Sequence, residues 1–321
     1  REGGRTMGSV LTVDFVTGLL ASSFSLAVPL LIATLGEIFV ERSGLLNMGM
    51  EGMILMGCFV SYIGAIYGGG VVAGVGASVV MGVLIGLLMG LLTLKMLANQ
   101  SICGIVFNFF ATGFTGFFNR YILGVSLIPT TVDTLTPIEI PLLSDIPIIG
   151  FLFSQNIMGY LAILLVPVAA FILFRTNLGL KIRAVGGNAQ AADTMGIDVI
   201  RIRCWMWIVG AVFCCLAGAY LTLTIGLFSD GMSNNRGFIA IALVVFARWM
   251  PWNALLGAFV FGFADALQLR LQALSLGIPY QFLVMLPYVL TIIVLLIGAR
   301  SRFVNPSVVG VPYVREGKEL N

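Results

Sequence analysis

Apolar residues run through this chain in stretches of about 20, long enough to cross a bilayer as helices. Short groups rich in glycine, asparagine or charge separate them. The pattern predicts nine spans. The first four run from Phe15 to Val40, Met50 to Tyr67, Val71 to Met96 and Ile102 to Ile122. A Pro-rich loop follows, and the fifth span covers Ile157 to Phe174. After a charged island come Cys204 to Leu227, Gly237 to Ala247, Asn253 to Leu271 and Tyr280 to Gly298. The seventh of these is too short to cross alone as a helix.

The expected organisation is a polar N-terminal tail over 1–13, a transmembrane domain over 14–299 and a polar C-terminal tail over 300–321. The first residues are read as an expression scar or a loose tail. Two connections stand out within the transmembrane domain. The loop 123–155 holds Pro129, Pro137, Pro141 and Pro147 with Asp133, Glu139 and Asp145, and no Lys or Arg. The island 175–203 holds five of the chain's 17 Lys and Arg. Basic segments stay in the cytoplasm, so the island and the C-terminal tail are expected inside and the acidic loop outside. Arg120 and Arg270 fall near the outer face and run against this rule.

Two patterns bear on architecture. Gly74, Ser78, Gly82, Gly86 and Gly90 recur every four residues, a small-residue stripe that lets helices approach closely in lipid. Ala258, Gly262 and Ala266 form a shorter one. Spans one to four and six to nine each hold a long helix, a Gly- and Asn-rich break, then an apolar run. The breaks are Ser43–Gly52 and Ser229–Gly237. They are five spans apart, an odd number, which makes the repeat inverted in the membrane and points to a transport path.

Composition then fixes the class. Hydrophobic residues make up 59% of the 321 and charged residues 10%, where soluble domains carry about 25% charged residues. The expected fold is an all-α integral membrane protein with about nine to ten helices. Net charge is +3, and its placement matters more than its sign. There is no histidine, which removes Ser-His and Cys-His dyads and His-bound metal. No paired catalytic carboxylates and no Walker A loop are present, so an ATP-driven process would need ATP and Mg on another chain. Cys58, Cys103, Cys204, Cys214 and Cys215 lack metal-ligand spacing and read as apolar fillers. No cofactor, metal or nucleic acid is expected.

A charge at the bilayer centre costs about 2.5–3.5 kcal/mol, so intramembrane polar residues need a reason. The candidates are Glu37, Glu51, Arg236 and Asp265, with Asn47, Asn108, Asn234, Asn235 and Gln268 as uncharged company. Glu37 and Glu41 also read as caps of a helix end beside Arg42, and Asp265 as a packing residue with Arg270 as its cation. The fourth span places Phe107, Phe110, Phe114, Phe117 and Phe118 at helical spacing. Such a face suits stacking on a flat ring, or ordinary lipid and helix contact.

The island is more specific. Asn188 is a good N-cap, residues 189–195 favour a short helix, and Gly196 suits the position after it. Gly186-Gly187 is expected to make a tight bend before that helix. The pattern reads as a docking helix for a cytoplasmic subunit or as a solvated connector.

These residues carry a resemblance. Leu180-Lys-Ile-Arg-Ala-Val-Gly-Gly-Asn-Ala-Gln-Ala-Ala-Asp-Thr-Met-Gly-Ile197 resembles the coupling segment of permease subunits of bacterial ABC importers, in the simple-sugar and nucleoside branch related to ribose permeases. Glu41-Arg-Ser-Gly-Leu-Leu-Asn-Met-Gly-Met-Glu-Gly-Met53 is similar to that branch's first break. Asn99–Asn108, Gly237–Trp249, Ala264–Gln268 and Pro279–Leu283 extend the likeness over about residues 25 to 315. Larger relatives in the ribose branch have an additional N-terminal span, where this chain begins with a polar decapeptide.

The resemblance implies a type II importer fold in a bacterial inner membrane. Its implied partners are ATP-binding cassette subunits, a second permease chain and an extracytoplasmic substrate-binding lipoprotein. It places ATPase coupling on Arg183, Gly187, Asn188, Ala192, Asp193 and Gly196. It places the substrate pathway on Asn47, Glu51, Asn234, Asn235 and Arg236, beside Phe107, Asn108, Phe110 and Phe114 of the aromatic face. Gly82, Gly86 and Gly90 remain helix-packing residues. A nucleoside is the expected cargo, with riboflavin and simple sugars as alternatives. An ion-driven secondary transporter is the reading from another class.

Overall fold

A computed structural model describes residues 13–124, 130–139, 150–273, 279, 281–286, 289, 292–293, 309–310 and 313. Among these residues, seven helices are long and apolar enough to cross a membrane. They are α1 (Val13–Arg42), α2 (Met50–Gly68), α3 (Val71–Gly90), α4 (Gln100–Leu123), α5 (Ile157–Arg175), α8 (Val199–Ile225) and α10 (Pro251–Ala273). A π-helical turn, Leu91–Lys95, prolongs α3. Three shorter helices complete the set. The island forms α6 (Asn177–Gly187) and α7 (Ala189–Thr194), and α9 (Arg236–Phe246) is the expected short span. More than half of the expected ninth span, part of the Pro-rich loop and all of the expected tails except residues 13, 309–310 and 313 fall outside the described residues.

Polar caps set many of the boundaries. Asn99, Asn156, Thr176, Asn188 and Asp198 each accept a backbone N–H in the first turn of α4, α5, α6, α7 and α8 respectively. Each satisfies one of the donors that a helix start leaves open. The loop between α4 and α5 adds a small hairpin, β1 (Pro137–Glu139) antiparallel to β2 (Ser154–Asn156), which the helical periodicity gives no sign of.

Helix α8 is the hub. On one side Arg203 bonds the carbonyl of Ser43, and Tyr220 lies 3.0 Å from the Ser25 hydroxyl, so α1 runs antiparallel to it. On another side Gly82 sits against Val212 and Gly86 against Ile208, so α3 is antiparallel too. A Cβ on either glycine would lie 2.5 Å from a Cα of α8. Gly90 is different: a Cβ there would meet only the Cys204 sulfur, at 3.5 Å, an ordinary contact. Helix α2 runs parallel to α8. The Cys215 thiol donates to the Met53 carbonyl at 3.4 Å, and the Thr222 hydroxyl to the Cys58 carbonyl at 3.1 Å. Gly262 of α10 packs against Ser23 and Ala27 of α1. Cys58, Cys214 and Cys215 are buried free thiols in this core.

The inverted repeat follows from these directions. After α1 ends, residues 43–49 turn back, and Met53 in the first turns of α2 already lies beside Cys215, beyond the midpoint of α8. Helix α2 then continues toward the end of the bundle where α8 finishes. In the second half, residues 226–235 turn back from that far end, and α9 travels the other way until Trp249 meets Glu41 and Arg42 at the end of α1. Each half is a long helix, an irregular return and a helix that completes the crossing, in opposite senses. The irregular backbone of the first return lies inside protein, where its polar groups find partners.

The two ends of the bundle are distinct. Gly310 donates to the Gly44 carbonyl at 3.1 Å, and Tyr313 packs on the island's cluster of Val185, Ala189, Ala192 and Val199. At the other end Val132 and Leu135 of the loop bond the carbonyls of Gly226 and Leu223. Tyr62 bonds the Thr130 carbonyl there.

Candidate functional site

The two breaks meet through one side chain. Glu51 lies in the first turn of α2 and accepts three bonds from the second break. The Ser233 hydroxyl reaches Oε1 at 2.6 Å, the Asn235 N–H reaches Oε1 at 2.8 Å, and the Gly237 N–H reaches Oε2 at 2.7 Å. Its carboxylate therefore caps α9 in place of Asn235, whose own side chain makes no cap. Gly237 allows this approach, since a Cβ there would lie 2.5 Å from the Glu51 Cα.

The first break is stitched by α4. Gln100 accepts the Leu46 N–H at 2.8 Å. Asn108 accepts the Gly52 N–H at 2.8 Å and donates to the Met48 carbonyl at 2.9 Å. Between them Gly104 packs on Met48 and Gly49, with a would-be Cβ 2.6 Å from the Gly49 nitrogen. Gln100, Gly104 and Asn108 are four residues apart, so one helix face carries all three. Asn47 is buried; it donates to Glu37 at 3.3 Å and accepts the Gly49 N–H at 3.0 Å.

The expected pathway residues thus divide. Asn47, Glu51 and Asn108 hold the breaks, while Asn234 and Asn235 are exposed and Arg236 is half-buried at the start of α9. Asn234 and Asn235 have left-handed backbones, with φ of 46° and 62°. Phe107 is turned into the core, Phe110 and Phe117 are exposed, and Phe114 and Phe118 lie between. Neighbouring rings touch along α4: Phe107–Phe110 at 6.1 Å, Phe110–Phe114 at 5.5 Å and Phe114–Phe118 at 4.4 Å between centroids. The ladder continues through Phe59 to Phe228, near the second break. Asp230 of that break pairs with Arg120 of α4 at 3.4 Å.

Three expectations are corrected. Glu37 and Glu41 neither cap a helix end nor face open space: Glu37 is bonded by Asn47 and Glu41 by the Trp249 indole, and both are buried. Arg270, the cation expected beside Asp265, is instead turned to the start of α1, where it bonds the Phe15 carbonyl and covers its ring. Gly186-Gly187 makes no bend. Helix α6 continues through both residues and the chain turns at Asn188. Gly186 is small because it presses on the Arg42 carbonyl and the Gly44 nitrogen.

The island is a compact unit against the end of α1. Asn188 caps α7 at the Ala191 N–H, 3.0 Å away, and Ala192 is buried. Gly196 adopts φ 82° and donates to the Asp193 carbonyl at 2.9 Å. Gly187 and Asn188 face outward. The Arg183 and Arg42 guanidiniums both lie over the Phe174 ring, at 5.3 and 5.6 Å. A groove of about 580 Å³ runs between α6 and α8, lined by Leu178, Lys181, Met195, Ile197, Arg201 and Trp205 among others. Arg203 is fully buried and donates to the Ser43 carbonyl at 3.2 Å. Sequence reasoning missed Gln100, Arg203, Ser233 and Trp249; only Gln100, in register with Asn108, leaves a local signal. Among the described residues no group of His, Cys, Asp or Glu could hold a metal ion.

The family described as "Branched-chain amino acid transport system / permease component" matches residues 19–295. A putative glucose ABC transporter permease protein, TsgC13 of Haloferax volcanii, is 39% identical over 83% of this chain and 81% of its own length. The guanosine ABC transporter permease protein NupQ of Bacillus subtilis is 34% identical over 94% of this chain and 98% of its own. The nucleoside ABC transporter permease protein NupC of Lactococcus lactis is 32% identical over 92% and 96%. No solved structure matches.

Proposed function

Since the chain belongs to this permease family of ABC importers, we propose that it forms the translocation pathway for a nucleoside. It is the permease component and not itself an ATPase. The observation that carries the cargo reading is the ring ladder of α4, exposed at Phe110 and continued to Phe228 beside the second break. A flat base stacks on such rings, and the exposed amides of Asn234 and Asn235 supply donors and acceptors for its polar edge. The guanosine and nucleoside permeases, similar along nearly their whole lengths, support the same class. A simple sugar is the second reading, favoured by the likeness to the putative glucose permease. Riboflavin would also stack on the ladder.

Energy enters at the island. ATP-binding subunits, carrying ATP and Mg, dock on α7 and its flanking groove, with Arg183, Gly187, Asn188, Ala192, Asp193 and Gly196 forming or shaping that contact. Their motion reaches the first break directly, because Gly186 rests on Arg42 and Arg203 holds the Ser43 carbonyl. Glu51 passes it to the second break. The island end is then cytoplasmic, and the loop end meets a substrate-binding lipoprotein outside a bacterial inner membrane. A second permease chain covers the exposed Phe109, Phe117 and Tyr121 of α4.

The test is ATP-driven uptake into vesicles holding the assembled system, with labelled guanosine challenged by excess riboflavin or ribose. Uptake blocked by unlabelled nucleosides alone is the expected result. Entry of labelled ribose or riboflavin in its place overturns the cargo. Uptake that persists without ATP and collapses with an uncoupler overturns the ATP-driven mechanism.

A further inference from the structure

Helix α9 ends in a turn that its residues are ill suited to make. The Trp249 N–H bonds the Val244 carbonyl at 3.2 Å and the Arg248 N–H bonds the Val245 carbonyl at 3.1 Å. This is the paired closure that a glycine in the left-handed region normally provides. Here Arg248 has φ 53° and Trp249 φ 54°. Two successive bulky residues stay in that region only where their surroundings over-determine them.

For Trp249 the last turn of α1 supplies these surroundings on two sides. The Trp249 indole N–H donates to the Glu41 carboxylate at 2.5 Å, and both side chains are buried. The Arg42 guanidinium donates to the Trp249 carbonyl, from Nη2 at 3.2 Å and Nε at 3.4 Å. The same Arg42 shares the Phe174 ring with Arg183 of the island, and its carbonyl lies under Gly186. Island, first break and the far end of α9 therefore converge on residues 41 and 42.

We propose that Trp249 is a positioning residue that makes α9 follow the island. The proposal rests on the permease reading above. When the docked ATPase subunits displace the island, the last turn of α1 moves with it. The indole and carbonyl bonds of Trp249 oblige the end of α9 to move too. The start of α9 hangs on Glu51, so the half-helix is held at both ends by the first half of the molecule. Without the indole bond, the end of α9 keeps only the Arg42 contact to the residue-249 carbonyl and its packing as ties to α1.

The experiment uses the complete assembly in proteoliposomes. It measures ATP hydrolysis together with uptake of whichever tracer the wild type accumulates among guanosine, riboflavin and ribose. Trp249→Phe keeps a six-membered aromatic ring and loses the fused pyrrole ring with its N–H. It is expected to leave ATP hydrolysis within about two-fold of wild type and to lower uptake per ATP by about ten-fold, within the range that coupling residues produce. Glu41→Gln keeps an acceptor oxygen and retains most of the coupling. Adding it to Trp249→Phe costs nothing more, because the bond is already gone. Unchanged uptake per ATP in Trp249→Phe, or hydrolysis and uptake falling in step, overturns the proposal. If Trp249→Phe does not assemble, Glu41→Ala leaves the indole in place and must show the same loss; an unchanged ratio there is equally fatal. A wild type that accumulates none of the tracers with ATP refutes the permease reading itself, whereas a working wild type with an unaltered variant refutes only the role of Trp249.

Discussion

The two breaks occupy matching places in the two halves and are built differently. Residues 43–49 are largely buried and fixed from several sides, by Gln100 and Asn108 of α4, by Arg203 of α8, by Gly186 of the island and by Gly310. Residues 226–235 are longer and more exposed, with left-handed backbones at Gly226, Gly231, Asn234 and Asn235. Their own bonds are short turns, Met232 to Ser229, Asn234 to Gly231 and Arg236 to Ser233. Their start is tied by Val132 at Gly226 and by the Phe228 ring on Phe59 and Tyr62, and their end by Glu51, with the exposed Arg120–Asp230 pair at the rim. Exposed ion pairs of that kind contribute about 0–1 kcal/mol. The same topology thus gives one stiff break and one hinged break. The stiff one lies where the island pushes, and the hinged one where the rings and amides are open.

The sharpest way to break this comparison is at Glu51. Each hydrogen bond to a charged group contributes about 1.5–3 kcal/mol, and Glu51 accepts three. Glu51→Ala is expected to lower initial uptake, normalised to folded protein in the vesicles, by more than about 100-fold. Glu51→Gln keeps one acceptor oxygen and loses about ten-fold. Uptake at half the wild-type rate in Glu51→Ala would mean that the second break is not hung on this residue.

The next effect is on stability and belongs to the stiff break. Asn108→Leu keeps the size but leaves the Gly52 N–H and the Met48 carbonyl without partners, at about 1–3 kcal/mol for each unsatisfied group. Thermal unfolding in detergent is expected to start several degrees lower. A paired test of glycines should show the same contrast. In Gly104→Ala the new methyl meets backbone at 2.6 Å, whereas in Gly231→Ala it meets nothing within 4 Å and only the left-handed φ of 72° resists. The first should cost about 1–3 kcal/mol, as overpacking does, and the second about 1 kcal/mol. Equal losses in the two variants would erase the distinction between the breaks.

The legible part of the molecule was the part with local signals. Apolar run length marked the spans, and the short run after Gly237 marked the half-helix α9. Asn188 and Gly196 marked the ends of α7, because caps are set by neighbours in sequence. The stripe of Gly82 and Gly86 marked a close helix contact, though α8 as the partner was not readable. What escaped is pairing over long separations. Glu51 and Ser233 have no shared pattern in the chain, and neither have Glu41 and Trp249. Gly186 shows a second limit. A glycine pair reads as a bend, but a helical glycine beneath a crossing carbonyl has the same letter and the opposite conformation. The aromatic stripe showed its spacing and not its facing, so Phe107 and Phe110 looked alike while one is buried and the other open.

The smallest effect separates hinge from cargo contact within the second break. Asn235 sits at φ 62° before α9, and its side chain makes no cap bond to the helix. Its N–H, which any residue but proline supplies, already serves Glu51. Asn235→Gly keeps that N–H and accepts the left-handed backbone freely, so stability should change by less than about 1 kcal/mol. The exposed side-chain amide would be lost. If that amide meets the cargo, apparent KM for uptake should rise by about two- to ten-fold, the worth of one neutral hydrogen bond, with maximal rate and ATP hydrolysis near wild type. A rise in maximal rate at constant KM would instead make Asn235 a pure hinge residue, stiffened by its own Cβ. Asn234→Gly, at φ 46° one residue earlier, provides the control on the same turn. Opposite behaviour of the two variants would assign cargo contact to one amide and backbone tension to the other.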